Sequence, residues 1–572
     1  MIYAAVAGVA EHRLLCSGSE DLWGERVFAA PAYDAPLLGR TSCKTSSTGH
    51  IRPQYNSPPS DQLRSLAIIA NQWVDHVSNA LARSGPSVIG CSTMFLQTAA
   101  SVALLRRIKV LRSDCITIIG GPNCEGEMAD GVLTLCDRID YAFSGESEET
   151  FPAFLLSIRR GCPPSRGVIK GTPLVDMDKL PAPDYSNYYA QLELFLPDSE
   201  VQRSGEVSMP YETSRGCWWG QKQHCTFCGL NGYGMNFRAK SPSRVIDDLK
   251  SMIERHPNRR VQMVDNIMPH SYFRTLLPQL PNEVPDLKIF YEQKSNLTLE
   301  QIIALRRAGV TVIQPGIESL STPLLKRMKK GVSARKNIAM LRYSRSVGLT
   351  LMWNILYGFP GDLAAEYEPM LSFFSKLQHL NPPSDAYSVC IDRFSPYFSQ
   401  PDEFGLTNLR PSPAYETFLP SSADVRKVAY QFTADFASES LASVDLENRL
   451  LAAIAHWRKP WIEGSPPVLE LTELDADTFM LLDTRQLSDV QKISFLDRTQ
   501  AAIALTGFAH SHSSDLELAL ERGWVIELDG WQVPLATAEP DLLTAFEAEF
   551  SISRASTSQQ IPIAQPILAL RR

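Results

Sequence analysis

The sequence predicts an α/β chain in three parts. A parallel-sheet domain with helices on both faces comes first, then a partial (βα)6 barrel, then a helical, winged-helix-like C-terminal region. Three observations carry this. Short apolar strands alternate with helix-length stretches from residue 61 to 165, and again from 206 to 404. Beyond 405 the alternation stops, and helices followed by a hairpin take over. Three cysteines fall within twelve residues, where the first barrel strand would end.

Bulk properties set the class. A chain of 572 residues is long enough for several domains, each with a core. Its 44% hydrophobic and 21% charged content is that of an ordinary globular protein. The net charge is −8 and no run of Lys or Arg occurs, which disfavours a phosphate-tracking surface and so nucleic acid. Eleven cysteines, an odd number in a long chain, argue against a secreted disulfide scaffold and for the reducing cytoplasm. Residues 1–10 lack the basic start of a secretory signal. The longest uncharged run, 84–105, contains Gly85-Pro86, Ser, Thr and Gln97, and reads as a buried strand and core helix rather than a membrane span.

In chain order, residues 1–60 show no strong period, with a Ser/Thr-rich piece at 41–48 and Pro58-Pro59. Ser65 to Leu81 has an amphipathic helical pattern. Strands follow at 87–92, 115–119 and 139–143, each separated by a helix. Such strands imply a parallel sheet, whose ligands lie beyond the strand carboxyl ends. Those ends carry Ser92, Thr93, Gly120, Gly121, Asn123, Gly145 and Glu146. Residues 1–165 form this domain and 166–205 a Pro-containing linker. The barrel covers 206–404, with strands at 209–213, 261–264, 289–292, 312–315, 350–354 and 387–391. Helices at 241–256 and 298–308 lie between, the first opening on Ser241-Pro242 as cap and first-turn proline. Region 405–572 reads as helices over 423–457, two strands over 469–484, two more helices, and a hairpin turning at Asp529-Gly530. The tail from Arg554 is expected to be disordered, and His510 and His512 to lie in a solvated loop.

The chemistry concentrates at Thr213-Ser-Arg-Gly-Cys217-Trp-Trp-Gly-Gln-Lys-Gln-His-Cys225-Thr-Phe-Cys228. Seven residues separate the first two cysteines and two separate the last pair. Three loop thiols leave three readings: unrelated cysteines, a zinc site, or an iron–sulfur cluster with one open iron. Structural zinc wants four closed ligands, and no second cysteine pair follows at finger spacing. The open-iron cluster accounts for three thiolates without a fourth.

With these residues in hand, the loop resembles that of the radical SAM superfamily, although the usual first gap there is three residues. The longer gap, Trp218-Trp219 within it and Cys-Thr-Phe-Cys-Gly-Leu-Asn at its end resemble the cobalamin-binding radical SAM enzymes that mature ribosomally made peptides (RiPP maturation), the C-methyltransferase-like family. So do Val264-Asp-Asn-Ile, Tyr291-Glu-Gln-Lys-Ser-Asn-Leu, Gln314-Pro-Gly-Ile-Glu-Ser-Leu, Trp353-Asn-Ile-Leu-Tyr-Gly-Phe-Pro-Gly and Asp392-Arg-Phe-Ser-Pro-Tyr. Gly120-Gly-Pro-Asn and Ser144-Gly-Glu extend the resemblance to the first domain.

The resemblance implies a Rossmann-like, cobalamin-binding-type first domain and a radical SAM barrel. It implies a [4Fe–4S] cluster on Cys217, Cys225 and Cys228, with S-adenosylmethionine (SAM) on the open iron. It implies that Asp265, Asn266, Glu292, Glu318, Ser319 and Asn354 meet SAM. Ser92, Thr93, Gly120, Gly121, Asn123, Gly145 and Glu146 would line a cobalamin. The cofactors carry the hard chemistry and the protein orients them. The implied activity is modification of an unactivated carbon of a ribosomally made precursor peptide, most simply C-methylation. Ring formation, epimerisation, and a catalytically idle peptide binder are the alternatives. An electron donor such as flavodoxin or ferredoxin would be a partner, and no membrane is involved. The family's first strand and helix are not found before Glu20, so a shortened first domain is expected. The C-terminal module is expected to cap the barrel or to bind a leader peptide as an added strand.

Overall fold

A computed structural model describes residues 1–17, 21–40, 60–203, 207–256, 258–488, 490–508 and 514–557. The chain divides into two compact units. The first comprises Met1–Pro269 and Ser388–Ser438, the second His270–Tyr387 and Glu439–Arg572. This division cuts across the expected partition at 206 and 405. The expected residues 41–48, Pro58, Pro59, His510 and His512 lie outside the described residues.

In the first unit, helices α1 (Trp23–Val27), α2 (Ala29–Tyr33) and α3 (Ser60–Ser84) precede a four-stranded sheet. Its strands are β1 (Val88–Ser92), β2 (Ile116–Gly120), β3 (Tyr141–Ser144) and β4 (Gly167–Lys170), with helices α4 (Thr98–Leu111) and α5 (Thr150–Arg159) between them. All pairings are parallel, and β1 and β2 run in step from Val88 opposite Ile116 to Ser92 opposite Gly120. The order is β1-β2-β3-β4, with no reversal among the described strands. A doubly wound sheet offers its crevice where the order reverses, so these four strands present a rim rather than a crevice.

The core explains the arrangement. Leu66, Ala67, Ala70 and Val74 of α3, Val102, Leu105 and Ala103 of α4, and Trp23, Val27 and Ala29 are buried together. The described part of the poorly patterned N-terminal stretch thus holds short helices, at Ile2–Ala7, Val9–Ser17, Trp23–Val27 and Ala29–Tyr33, which contribute isolated large apolar side chains rather than a long period. Glu25 is buried with them and caps α4, accepting from Thr98 N at 2.8 Å and Ala99 N at 2.6 Å.

Two expectations are corrected here. The linker 166–205 holds β4 and a helix at Ser186–Phe195. The four-residue strand is too short to show a period in sequence, but parallel pairing with β3 satisfies its backbone. The helices expected over 423–457 are interrupted by a strand at Gln431–Asp435. It lies between Ile391–Asp392 and Thr407–Pro411 in an antiparallel sheet. Ile391, Tyr397, Tyr415, Phe418 and Phe432 of this segment belong to the same core as α3 and α4.

The first unit also contains β5 (Met209–Tyr211), α6 (Pro242–Arg255) and β6 (Arg260–Met263). The strands pair in parallel, Met209 opposite Val261 and Tyr211 opposite Met263. Ser241 caps α6 and Pro242 opens it, as the sequence predicts. Asp248 of α6 is buried and accepts from Tyr211 Oη at 2.8 Å and Lys240 Nζ at 3.0 Å, fixing helix to strand.

In the second unit, β7 (Lys288–Glu292), β8 (Val310–Gln314) and β9 (Thr350–Leu351) are parallel neighbours. Helix α7 (Leu299–Arg307) follows β7 and opens with a capping box, Thr298 with Gln301. Helix α8 (Ala334–Val347) precedes β9 and stops at Gly348, in the left-handed conformation. The strand expected over 350–354 breaks after Leu351, and β10 (Ile355–Tyr357) resumes beyond Asn354. Trp353 sits in the break, and its buried indole nitrogen donates to Asn381 O at 3.0 Å.

Further on, strands Leu469–Glu473, Thr478–Asp483 and Ile493–Asp497 form an antiparallel meander. Helices Arg498–Thr506 and Ser514–Glu521 and a hairpin of Val525–Leu528 with Trp531–Pro534 follow. The hairpin turns on Asp529 and Gly530, both with positive φ. The last helix is Pro540–Thr557, and the remainder of the tail expected from Arg554 lies outside the described residues. Among the described residues no helix is long and apolar enough to cross a membrane.

Candidate active site

The cysteine loop hangs from a two-stranded antiparallel ribbon, Ser214–Arg215 against Arg238–Ala239. Gly216 begins the loop with φ 79°, and a Cβ there would run into the backbone of Asn236 and Met235. Only glycine fits both the conformation and the space. Cys217 N donates to Met235 O at 3.3 Å, and Gly220 N donates to Cys217 Sγ at 3.3 Å. Cys228 N donates to Cys225 O at 3.2 Å, and His224 Nε2 to Cys228 O at 2.8 Å. Burial pushes His224 down from its ordinary pKa, so its ring serves as a neutral donor. Trp218 Nε1 donates to Met268 O at 3.1 Å, and Tyr397 N to Thr226 O at 3.1 Å. The loop is therefore held along its whole length.

All three thiols are half-buried and in no disulfide. Among the described residues no three Cys, His, Asp or Glu side chains already meet as a metal-binding group. The donor set still suits an iron–sulfur cluster. Three soft thiols share one backbone-braced loop, and an N–H already points at one sulfur.

The root of the loop is buttressed from two sides. Asp265 is fully buried and accepts from Thr213 N at 2.7 Å, from Thr213 Oγ1, and from Ser214 Oγ at 2.8 Å. Burial raises its pKa to about 6 against these hydrogen bonds. Its carboxylate thus braces the ribbon. Asn266 Nδ2 donates to Asn231 Oδ1 at 2.7 Å, beside the loop's far end. On the other side, Arg215 pairs with Glu146 at 2.8 Å, Glu148 at 2.7 Å and Glu212 at 2.8 Å. Arg238, across the ribbon, pairs with Glu146 at 2.6 Å. Glu146, expected at a cobalamin, joins the end of β3 to both strands of the ribbon. Sequence reasoning missed Arg215 and Arg238. The one available signal was the position of Arg215 two residues before Cys217.

At the rim of the first sheet, Ser92, Gly121 and Gly145 are exposed and Gly120 is half-buried, while Thr93 is buried. Asn123 Nδ2 donates to Thr93 Oγ1 at 3.2 Å, Phe95 O at 2.9 Å and Thr98 Oγ1 at 2.9 Å. Thr93 and Asn123 thereby set the loop's shape. Gly121 has φ 97°, and a Cβ would meet Ser92 Oγ and Thr93 O at 2.7 Å. The exposed residues, with Met94 and Phe95, form a small-residue rim with apolar edges. That composition suits a flat, largely apolar ligand such as a corrin.

In the second unit, Glu292 ends β7 opposite Gln314. Glu318 bridges to Ile355 and so lies beside Asn354. Its φ of 57° is left-handed, a costly setting for a side chain of this kind. Its carboxylate pairs with Lys330 Nζ at 3.2 Å. Ser319 is fully buried; its Oγ accepts from Ser321 N at 3.1 Å and donates to Met370 Sδ at 3.8 Å. Glu318 and Asn354 are thus brought together at neighbouring strand ends, while the Ser319 hydroxyl faces the interior.

A parallel α/β arrangement with a braced three-cysteine loop after its first strand defines a class. Residues 211–374 match the radical SAM superfamily, and the chain carries a radical SAM domain. It is 22% identical over 320 residues to an uncharacterized methyltransferase of Pyrococcus horikoshii, spanning 53% of this chain and 66% of that relative. Its fold matches the cobalamin-dependent radical enzyme OxsB, solved with aqua-cobalamin and S-adenosylmethionine bound. The TM-score is 0.51 at 16% identity, over 69% of this chain and 61% of that one. It also matches the radical SAM methyltransferase TsrM of Kitasatospora setae, solved with cobalamin and a [4Fe–4S] cluster bound. There the TM-score is 0.50 at 15% identity, over 68% of this chain and 84% of that one.

Proposed function

We propose that the chain is a radical SAM methyltransferase that uses a [4Fe–4S] cluster, SAM and cobalamin to methylate an unactivated carbon of a ribosomally made precursor peptide. The observation that carries it is the double tie of Glu146 to Arg215 and Arg238. It joins the glycine-lined rim, suited to a corrin, to the ribbon that bears the thiols. When bound, the cluster supplies an electron to SAM and the cobalamin supplies a methyl group. Cys217, Cys225 and Cys228 would hold the cluster, and Gly120, Gly121, Ser92 and Gly145 would line the corrin. Glu318 and Asn354 would orient SAM from their strand ends. The salt-bridged root keeps the loop from shifting, which matters because a reaction centre misplaced by about 1 Å loses rate by orders of magnitude. An external one-electron donor, of the flavodoxin or ferredoxin kind, is required by the electron count.

The test is anaerobic reconstitution with iron, sulfide and hydroxocobalamin. The expected result is iron–sulfur absorbance with corrin bands. With SAM and dithionite, 5′-deoxyadenosine and S-adenosylhomocysteine should form, and a synthetic candidate precursor peptide, chosen from short open reading frames sought near the gene, should gain a methyl group. Changing Cys217, Cys225 or Cys228 to Ala should abolish both products. Formation of 5′-deoxyadenosine with no methylated peptide would leave the radical chemistry standing and remove the methyl-transfer reading.

A further inference from the structure

Among the described residues, one pair of polar groups beside the cysteine loop makes no side-chain hydrogen bond or ion pair. Gly229 directly follows Cys228, and a Cβ placed on it would lie 3.0 Å from Asp392 Cβ and 3.0 Å from Tyr430 Oη. The root of the Asp392 side chain and the Tyr430 phenol therefore both lie against Gly229, where the Arg393 carbonyl packs closer still. Among the described residues, no side-chain hydrogen bond or ion pair reaches the Asp392 carboxylate, and the Tyr430 hydroxyl makes none. Both residues are half-buried, so a ligand can still reach them. Burial pushes Asp392 up to about 7 and raises Tyr430 further from its ordinary value, as expected for polar groups in poorly hydrated surroundings.

Their placement is rigid. Asp392 pairs with Gln431 across the antiparallel ladder, and Arg393 N donates to Tyr430 O at 2.7 Å. Arg393 is fully buried between the Phe398 and Phe432 rings, 5.1 and 5.0 Å from their centroids. Its guanidinium donates to Ala429 O at 2.8 Å, to Arg426 O and to Glu127. That cation is thus committed away from Asp392. An acceptor and a donor, both held on a fixed sheet and both reachable from outside, are available to a ligand that displaces water from them.

We propose that Asp392 and Tyr430 bind one backbone amide of the peptide substrate next to the cysteine loop, the carboxylate accepting the amide N–H and the phenol donating to the amide carbonyl. An amide offers a donor and an acceptor on adjacent atoms, which is the complement of this pair. The proposal rests on the peptide reading above and names where the peptide is gripped. Asp392 and Tyr430 are positioning residues: they hold the chain near the reacting centre.

The experiment uses the reconstituted 572-residue chain and a synthetic, fluorescently labelled candidate precursor peptide, the one that the methylation assay above identifies as substrate. Asp392→Leu and Tyr430→Phe should each weaken peptide affinity by about ten- to a hundredfold, the value of one hydrogen bond to a buried polar partner. Asp392→Asn keeps an acceptor oxygen and should restore part of that loss. Iron–sulfur absorbance equal to wild type shows that the loop is intact in each variant. Unchanged peptide affinity in both variants, or a loss in SAM affinity instead, would overturn the proposal while leaving the peptide reading in place. If the wild-type holoenzyme cleaves SAM but binds no peptide, the peptide reading fails and this proposal fails with it.

Discussion

Gly216 turns the backbone into the left-handed region one residue before Cys217, where any Cβ would strike Asn236 and Met235. Gly216→Ala should destabilise the fold by about 1–3 kcal/mol, the cost of a strained backbone position. Because the strain falls at the root of the loop, reconstituted iron should fall more steeply than the melting temperature. Equal iron loading would show that the loop tolerates the shift. Glu25 gives a pH effect at the same scale. Burial raises its pKa from the ordinary 4.5 to about 7, against the N–H groups of Ala99 and Thr98. The folded chain then holds a proton that the unfolded chain gives up between pH 4.5 and about 7. Its contribution to stability is fully present below 4.5 and is lost as pH rises through about 7. Glu25→Gln, which removes the titrating proton but keeps only one of the two acceptor oxygens, should lower stability overall and flatten that part of the pH–stability curve. A wild-type curve already flat across the window would count against a raised value.

The ribbon under the cysteine loop is the element on which the site turns. Two residues on each strand give it little pairing of its own, so the salt bridges of Arg215 and Arg238 hold it. These groups are partly exposed, which moderates their strength. Arg215→Met keeps most of the volume but strands Glu148 and weakens the tie to Glu146. A loss of about 1–3 kcal/mol is expected, from the cost of leaving polar partners unsatisfied. Arg215→Lys should recover only part, because one ammonium cannot reproduce the forked contacts to three carboxylates. Urea denaturation monitored alongside iron content reads both effects. The helix cap at Ser241 and the Asp529-Gly530 turn were legible beforehand, since each is decided within four residues. The strand at Gln431–Asp435 was not, because its paired residues lie 21 to 41 positions away in sequence.

For the molecule as a whole, the return of residues 388–438 to the first unit is the main departure from the expected linear order of domains. Phe432 is buried in the core that α3 and α4 build, though more than 300 residues separate it from them. Phe432→Ala should cost about 3–5 kcal/mol, as for other large aromatic truncations in a core. The unfolding probe should be Trp23 or Trp73 fluorescence, since those indoles pack in the same core. An unchanged transition would mean that the returning segment adds nothing to the first unit.

What the sequence determined by itself is local. Most strand and helix positions, the Ser241 cap, the Asp529-Gly530 turn and the spacing of Cys217, Cys225 and Cys228 were legible from a few residues of chain at a time. These were enough to point to a radical SAM domain. Only the tertiary structure decided the rest: the fourth strand β4, the unreversed strand order, the left-handed Glu318, and the tie of Glu146 to the loop's root. It also put Asp265 and Ser319 to work inside the protein and set Asp392 beside Tyr430. Each of these depends on two segments far apart in sequence meeting at one distance and one orientation. Local propensity carries no record of that choice; burial and ion pairing made it when the segments packed.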